Sequence, residues 1–195
     1  GGTISTPRIG ILGGSFNPVH MGHLLLAQSA LEAFDLSKVL FMPCYIQPHK
    51  DPTMLASPEH RMAMLEQALM DNMQFEVLDI EIVRGGTSYA VDSVREISKL
   101  YPEAELFFII GADTLTELHL WHDIYALLEM CSFATFSRPG LDVMSLAEED
   151  LHLDPPWPPR LLDMVARGRM LEISSSDIRH RVAEGMRIRY LVPPL

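Results

Sequence analysis

The chain has 195 residues, 48% hydrophobic and 21% charged. That mix can bury a core, and it excludes a wholly disordered, collagen-like or coiled-coil chain. Lys and Arg number 15 against 26 Asp and Glu, a formal net charge of −11. This excludes a sequence-independent nucleic-acid binder but leaves room for a locally basic pocket that takes a small anion. No apolar run reaches the length of a membrane span, so no membrane partner is expected. Cys44 and Cys131 are the only cysteines, too few for a disulfide framework or a cysteine zinc site. No signal peptide is visible, and a reducing cytoplasm is the default expectation.

Elements alternate in type along the chain. Residues 8–13 (RIGILG) read as a buried strand ending in glycine, and 20–34 as a helix. Residues 38–43 (KVLFMP) form a second strand, stopped by Pro43. Ser57-Pro58-Glu59 carries the cap, early proline and acid of a helix start, for a helix running to about Asn72. Residues 75–83 (FEVLDIEIV) read as a strand whose alternation slips once, hinting at a bulge. A helix follows over 88–100, then the five-residue apolar strand 106–110, helical pieces at 114–120 and 123–130, and a strand at 132–137. The acidic, proline-rich stretch 141–160 reads as a surface excursion. A helix near 160–167, a strand at 170–173 and a helix over 175–184 close the pattern. Strands spaced by helices imply a Rossmann-like, doubly wound α/β fold. It forms a single domain over 1–195, with a small helical C-terminal part over about 170–195. Such sheets bind ligands at the carboxyl ends of their strands.

Three strings sit at those ends. The first is GGSFNPVHMGH, residues 13–23, between a strand and a helix. Gly13 and Gly14 permit a sharp turn and close main-chain approach to a ligand. The helix start behind them offers unpaired N–H groups and a positive dipole end. His20 and His23 share one face and suit phosphate oxygens, as donors that gain charge when a phosphate approaches. A plain turn with one core and one surface histidine is the bland alternative. The second string is ISSSDIR, residues 173–179. Ser174, Ser175 and Ser176 can cap a helix and donate to phosphate, and Arg179 can grip the same oxygens with its planar fork. An ordinary serine cap with a surface arginine is the alternative. The third is GADTLTELHLW, residues 111–121. Gly111 permits close approach, Asp113 suits ribose hydroxyls, and Trp121 offers a face for a heteroaromatic ring. A helix cap and core packing are the alternatives for Asp113 and Trp121. His119 and His122 lack a third ligand at matching spacing, so no metal site is assigned.

The first string resembles the HxGH signature of the nucleotidylyltransferase superfamily, and the second resembles its ISSTxIR motif, with Ser176 where Thr is common. No Gly-Lys-Ser/Thr follows the glycines, so this is not a Walker loop. From Ile9 to Pro193 the chain is similar to the bacterial nicotinate-nucleotide adenylyltransferases of NAD biosynthesis. QPHK at 47–50 looks like that family's PPHK or PPHR loop, and SPEHRMAML at 57–65 its SxxHRxxML helix. GTSYAVDSV at 86–94 resembles its SYTxDT stretch, FSRPG at 136–140 its KRPG turn, and GADxLxxLxxW is specific to this branch. Asn17, Gln47, Ala90 and His122 depart from the usual Asp, Pro, Thr and Tyr. The chain also ends at Leu195, where the resemblance leads one to expect a further short helix.

The resemblance implies ATP and nicotinate mononucleotide as substrates, with deamido-NAD and pyrophosphate as products, by direct in-line attack. It implies His20, His23 and Arg179 as catalytic residues. ATP would meet Gly14, Ser15, Phe16, His20, His23, Gly111, Asp113, Ser137, Arg138, Ser175, Ser176 and Arg179. The mononucleotide would meet His49, Lys50, Tyr89, Ala90, Val91, Trp121 and His122. Mg²⁺ would travel with ATP. A homo-oligomer is compatible with the sequence. Pantetheine-phosphate adenylyltransferases are a rival within the superfamily, but they lack the Gly-Ala-Asp…Trp string. A non-catalytic nucleotide-sensing domain is the rival of another class.

Overall fold

A computed structural model describes residues 6–46, 55–137 and 145–169. The expected strand 170–173 and helix 175–184 lie outside them. Among the described residues five strands form one parallel sheet: β1 (Arg8–Gly14), β2 (Lys38–Pro43), β3 (Phe75–Val77), β4 (Glu105–Gly111) and β5 (Ser132–Phe136). Their order is β3-β2-β1-β4-β5, with β1 at the centre. The helices are α1 (Met21–Ala33), α2 (Pro58–Leu69), α3 (Ile80–Arg84), α4 (Ala90–Leu100), α5 (Ala112–Leu115), α6 (Ile124–Met130) and α7 (Trp157–Arg169). No helix among the described residues is long and apolar enough to cross a membrane.

The strands are apolar on both faces because helices cover both. Ile9, Ile11, Leu40, Phe108 and Phe133 face a core shared with α4 and α6, through Val94, Ile97 and Leu127. Leu12, Val39, Phe41, Phe107 and Ile109 face a second core, shared with α1 and α2 through Ala27, Leu31 and Leu65. The chain therefore leaves β1 toward one face and β4 toward the other, which puts the topological switch point between these neighbours.

The register shows what this does. β1 stays paired with β2 to the end, Gly14 opposite Pro43, and β4 stays paired with β5 through Gly111 opposite Phe136. Between β1 and β4 the pairing stops at Ile11 opposite Phe108. Beyond that rung no pairing joins the two strands, which is where a doubly wound sheet forms its ligand crevice.

Three expectations need correction. The strand over 75–83 ends at Val77, and Ile80–Arg84 is helical. Asp79 stands at the helix N-cap and Gly85, at φ 71°, ends it, so the slip in alternation marks a change of element instead of a bulge. The helix over 114–120 divides into α5 and a 3-10 turn at Leu118–Leu120. The helix near 160–167 runs over Trp157–Arg169, because Pro158 and Pro159 fall in its first turn, where the missing N–H costs little. The described part of the 141–160 stretch is mostly exposed, with one apolar anchor. Leu151 is fully buried on the α4–α6 side, with Leu146 and Leu153 packed beside it.

Candidate active site

The loop after β1 is the centre of the site. Phe16 has φ 46°, a left-handed conformation that bulky residues seldom adopt. Its ring lies buried in the α1–α2 core, edge-on to His23 at 4.9 Å and tilted against Phe41 at 5.7 Å. Only its main chain is therefore left for a ligand. The peptide Asn17–Pro18 is cis, and the Asn17 Oδ1 accepts the N–H of Ala56 at 3.0 Å, joining the loop to the approach to α2.

His20 and His23 cap α1 reciprocally. The His20 Nδ1 accepts the N–H of Gly22 at 3.0 Å, and the His23 Nδ1 accepts the N–H of His20 at 3.1 Å. Two imidazoles thus do what Ser and Glu do in a capping box. Their rings stack at 3.8 Å. The packing requires Gly22, where a Cβ would lie 2.9 Å from the His20 Cε1 and 3.1 Å from its Nδ1.

This geometry corrects the expectation of unpaired N–H groups at the start of α1. The α1 N–H groups are largely in use: Gly22 donates to His20 Nδ1, and His23 and Leu24 donate to the His20 carbonyl. The donors left for an anion are therefore mainly side-chain ones. An Nδ1 that accepts an N–H carries no proton, so each neutral ring holds its proton on Nε2. Charging the His23 ring would set a second donor against that N–H. Burial first, and the neighbouring His20 second, push the His23 pKa down to about 4. At neutral pH His23 is a neutral Nε2–H donor.

Sequence reasoning missed Arg61. It sits in the first turns of α2 and is 1% exposed. Its guanidinium donates to the carbonyls of Ala56 (3.1 Å), Ser15 (2.8 Å), Cys44 (2.7 Å) and Tyr45 (2.9 Å). In the sequence it looks like any arginine on an amphipathic helix, and the only signal was its place in the HR pair of SPEHRMAML.

At the end of β4, Gly111 leaves room for Asp113: a Cβ there would stand 2.8 Å from the Asp113 Oδ1. Asp113 is exposed, and Ser137 is part-buried just past β5. Trp121 is part-buried and meets Phe108 and Phe133 edge-on at 5.8 Å and 5.9 Å. Core packing thus anchors the indole. His122 stacks on Tyr89 at 4.2 Å, which joins the start of α4 to the segment after β4. Tyr89 is the N-cap of α4, and its side chain makes no capping bond. Ala90 and Val91 begin that helix, so their N–H groups lack the side-chain cap that α1 and α2 possess. His119 pairs with His152, with ring centroids 5.1 Å apart. Among the described residues no group of three His, Cys, Asp or Glu could hold a metal. His49, Lys50, Arg138, Ser175, Ser176 and Arg179 lie outside the described residues.

Residues 11–181 match the family model described as cytidylyltransferase-like. The chain belongs to that family. Among its relatives, a probable nicotinate-nucleotide adenylyltransferase of Desulfitobacterium hafniense (strain Y51) is 45% identical over 188 residues, covering 95% of this chain and 89% of that protein. One from Opitutus terrae is 42% identical over 186 residues, covering 95% and 91%. The fold of this family member also matches solved structures of the nicotinic acid mononucleotide adenylyltransferase of Plasmodium falciparum. The complex with NaAD gives a TM-score of 0.62 at 19% identity, covering 76% of this chain and 72% of that one. The complex with APC gives 0.60 at 17% identity, covering 76% and 71%.

Proposed function

We propose that the protein is a nicotinate-nucleotide adenylyltransferase, joining ATP to nicotinate mononucleotide to form deamido-NAD and pyrophosphate. The observation that carries this reading is the pair of imidazoles capping α1 just past the last rung shared by β1 and β4. It agrees with the names of the relatives. In this reading one nucleotidylyltransferase domain spans the chain and works in the cytoplasm, alone or as a homo-oligomer.

A phosphate oxygen of the mononucleotide attacks the α-phosphorus of ATP in line. A new P–O bond forms as the bridging bond to the β-phosphorus breaks, and pyrophosphate leaves with the electron pair. No protein nucleophile is needed, so catalysis is positioning plus charge stabilisation. His20 and His23 donate Nε2–H groups to the phosphates, with Ser15, Ser175, Ser176 and Arg179 on the same oxygens. Gly14 and the Phe16 main chain border the triphosphate. Gly111 and Asp113 hold the ribose, and Ser137 and Arg138 the adenine. His49 and Lys50 take the mononucleotide phosphate. Trp121 stacks on the pyridine, and Tyr89, Ala90, Val91 and His122 frame its carboxylate. Among the described residues the donor set is rich in imidazole and hydroxyl and has no carboxylate cage, which fits Mg²⁺ held chiefly by ATP itself. When bound, that ion neutralises charge on the triphosphate.

A carboxylate set against the uncapped N–H groups of Ala90 and Val91 bonds more strongly than an amide, whose NH₂ would face a donor. A buried mismatch of that kind costs about 1–3 kcal/mol. The acid mononucleotide should therefore have a specificity constant roughly ten to a hundred times that of the amide. Steady-state pyrophosphate release with ATP, Mg²⁺ and each mononucleotide decides this. Equal constants would overturn the nicotinate assignment. Nucleotide binding without pyrophosphate release would favour a sensing domain.

A further inference from the structure

Arg61 is the largest fully buried side chain among the described residues. The ion pairs found there, Lys38–Glu76, Arg84–Glu96 and Arg95–Asp92, do not include it. A buried cation ordinarily has a carboxylate partner. Here main-chain carbonyls replace one, and they come from three separate segments. Ser15 lies in the loop after β1, Cys44 and Tyr45 in the exit from β2, and Ala56 just before α2. The Cys44 N–H also donates to the Gly14 carbonyl at 2.9 Å, so the two exits are joined twice. A planar guanidinium fixes the direction of each carbonyl it bonds, which an ammonium does not.

We propose that Arg61 is a positioning residue for the phosphate loop. From inside the core it fixes the main chain at Ser15, and through it the placement of His20 and His23. Its charge, in no ion pair found among the described residues, adds to the attraction of that loop for phosphate. The proposal rests on the reading of this crevice as a nucleotide phosphate site.

Arg61→Lys keeps the charge and loses the fork. At a temperature well below its melting point, it should weaken Mg-ATP affinity and lower kcat/KM by about 10–100-fold, the scale of a misplaced reacting group. In the His20→Ala background the same change should lose far less, because both act through one loop. In the wild-type chain the Nε–H resonance of Arg61 should shift on titration with Mg-ATP, although Arg61 touches no ligand. This last readout holds even if the lysine variant fails to fold. A variant with lowered stability but unchanged Mg-ATP affinity and kcat/KM would overturn the proposal. So would losses that add in full to those of His20→Ala, or an Arg61 resonance indifferent to Mg-ATP. A wild-type chain that binds Mg-ATP but turns over neither mononucleotide would overturn the proposed reaction alone, leaving the affinity and resonance readouts to decide on Arg61.

Discussion

Two titratable groups, the part-buried His23 and the buried Glu81, pull stability in opposite directions with pH. His23 titrates near 4 in the folded chain against 6.5 when unfolded. Between those values the unfolded chain binds more protons, so stability rises with pH and is fully present above 6.5. Glu81 is the reverse. It is 7% exposed, accepts the Ser93 hydroxyl at 2.6 Å, and burial raises its pKa above 4.5. The folded chain keeps that proton longer, so stability falls as pH rises from 4.5 through the raised value. Arg84, which donates to Ser93 and Glu96, opposes the shift without cancelling it. Over the shared window the two slopes offset each other. Glu81→Gln keeps an acceptor for Ser93 and removes the falling slope. Stability should then rise with pH more steeply than in the wild type, by up to about 1.4 kcal/mol per pH unit for one proton. Denaturant melts at a series of pH values would show it; an unaltered slope would mean that Glu81 ionises normally.

At the scale of the helix, α1 separates stability from function at one position. Gly22→Ala gains helix propensity of about 1 kcal/mol. It also pushes the His20 ring away and breaks the cap, a loss of about 0.5–2 kcal/mol. Net stability should change little. Turnover should fall on the order of tenfold to a hundredfold, because a donor has left its place. Thermal melts and pyrophosphate release measured on the same sample test this, and a silent Gly22→Ala would mean that the ring placement is irrelevant. The glycines and histidines of this segment were legible in the sequence, since strand, turn and helix are local and their residue types are constrained. How the histidines work was not: that each Nδ1 is occupied depends on helix-cap geometry that no spacing rule contains. Arg61 was illegible for a similar reason. Its burial is set by loops 17 and 46 positions away, at Cys44 and Ser15. The strand read over 75–83 failed because its apolar residues suit either period, and tertiary packing decided. Trp157–Arg169 is longer than the expected 160–167 because Pro158 and Pro159 fall in its first turn.

For the whole molecule, the alternation of strands and helices was enough to expect a parallel doubly wound sheet and to locate its working edge. What it could not show is that the rung between Ile11 and Phe108 is the last one joining β1 to β4. That rung has a consequence for how the protein opens. Amides in a strand bonded on both sides exchange with solvent only through large openings, while those with one neighbour need smaller ones. β1 has both kinds. Ile9–Ile11 is held between β2 and β4, and Leu12–Gly14 is held by β2 alone. Deuterium uptake should therefore be slowest over Ile9–Ile11 and step up within the same strand toward Gly14. Saturating Mg-ATP should slow the second half and leave the first unchanged. The nucleotide would then supply, from outside, the cohesion that the sheet lacks beyond its last shared rung.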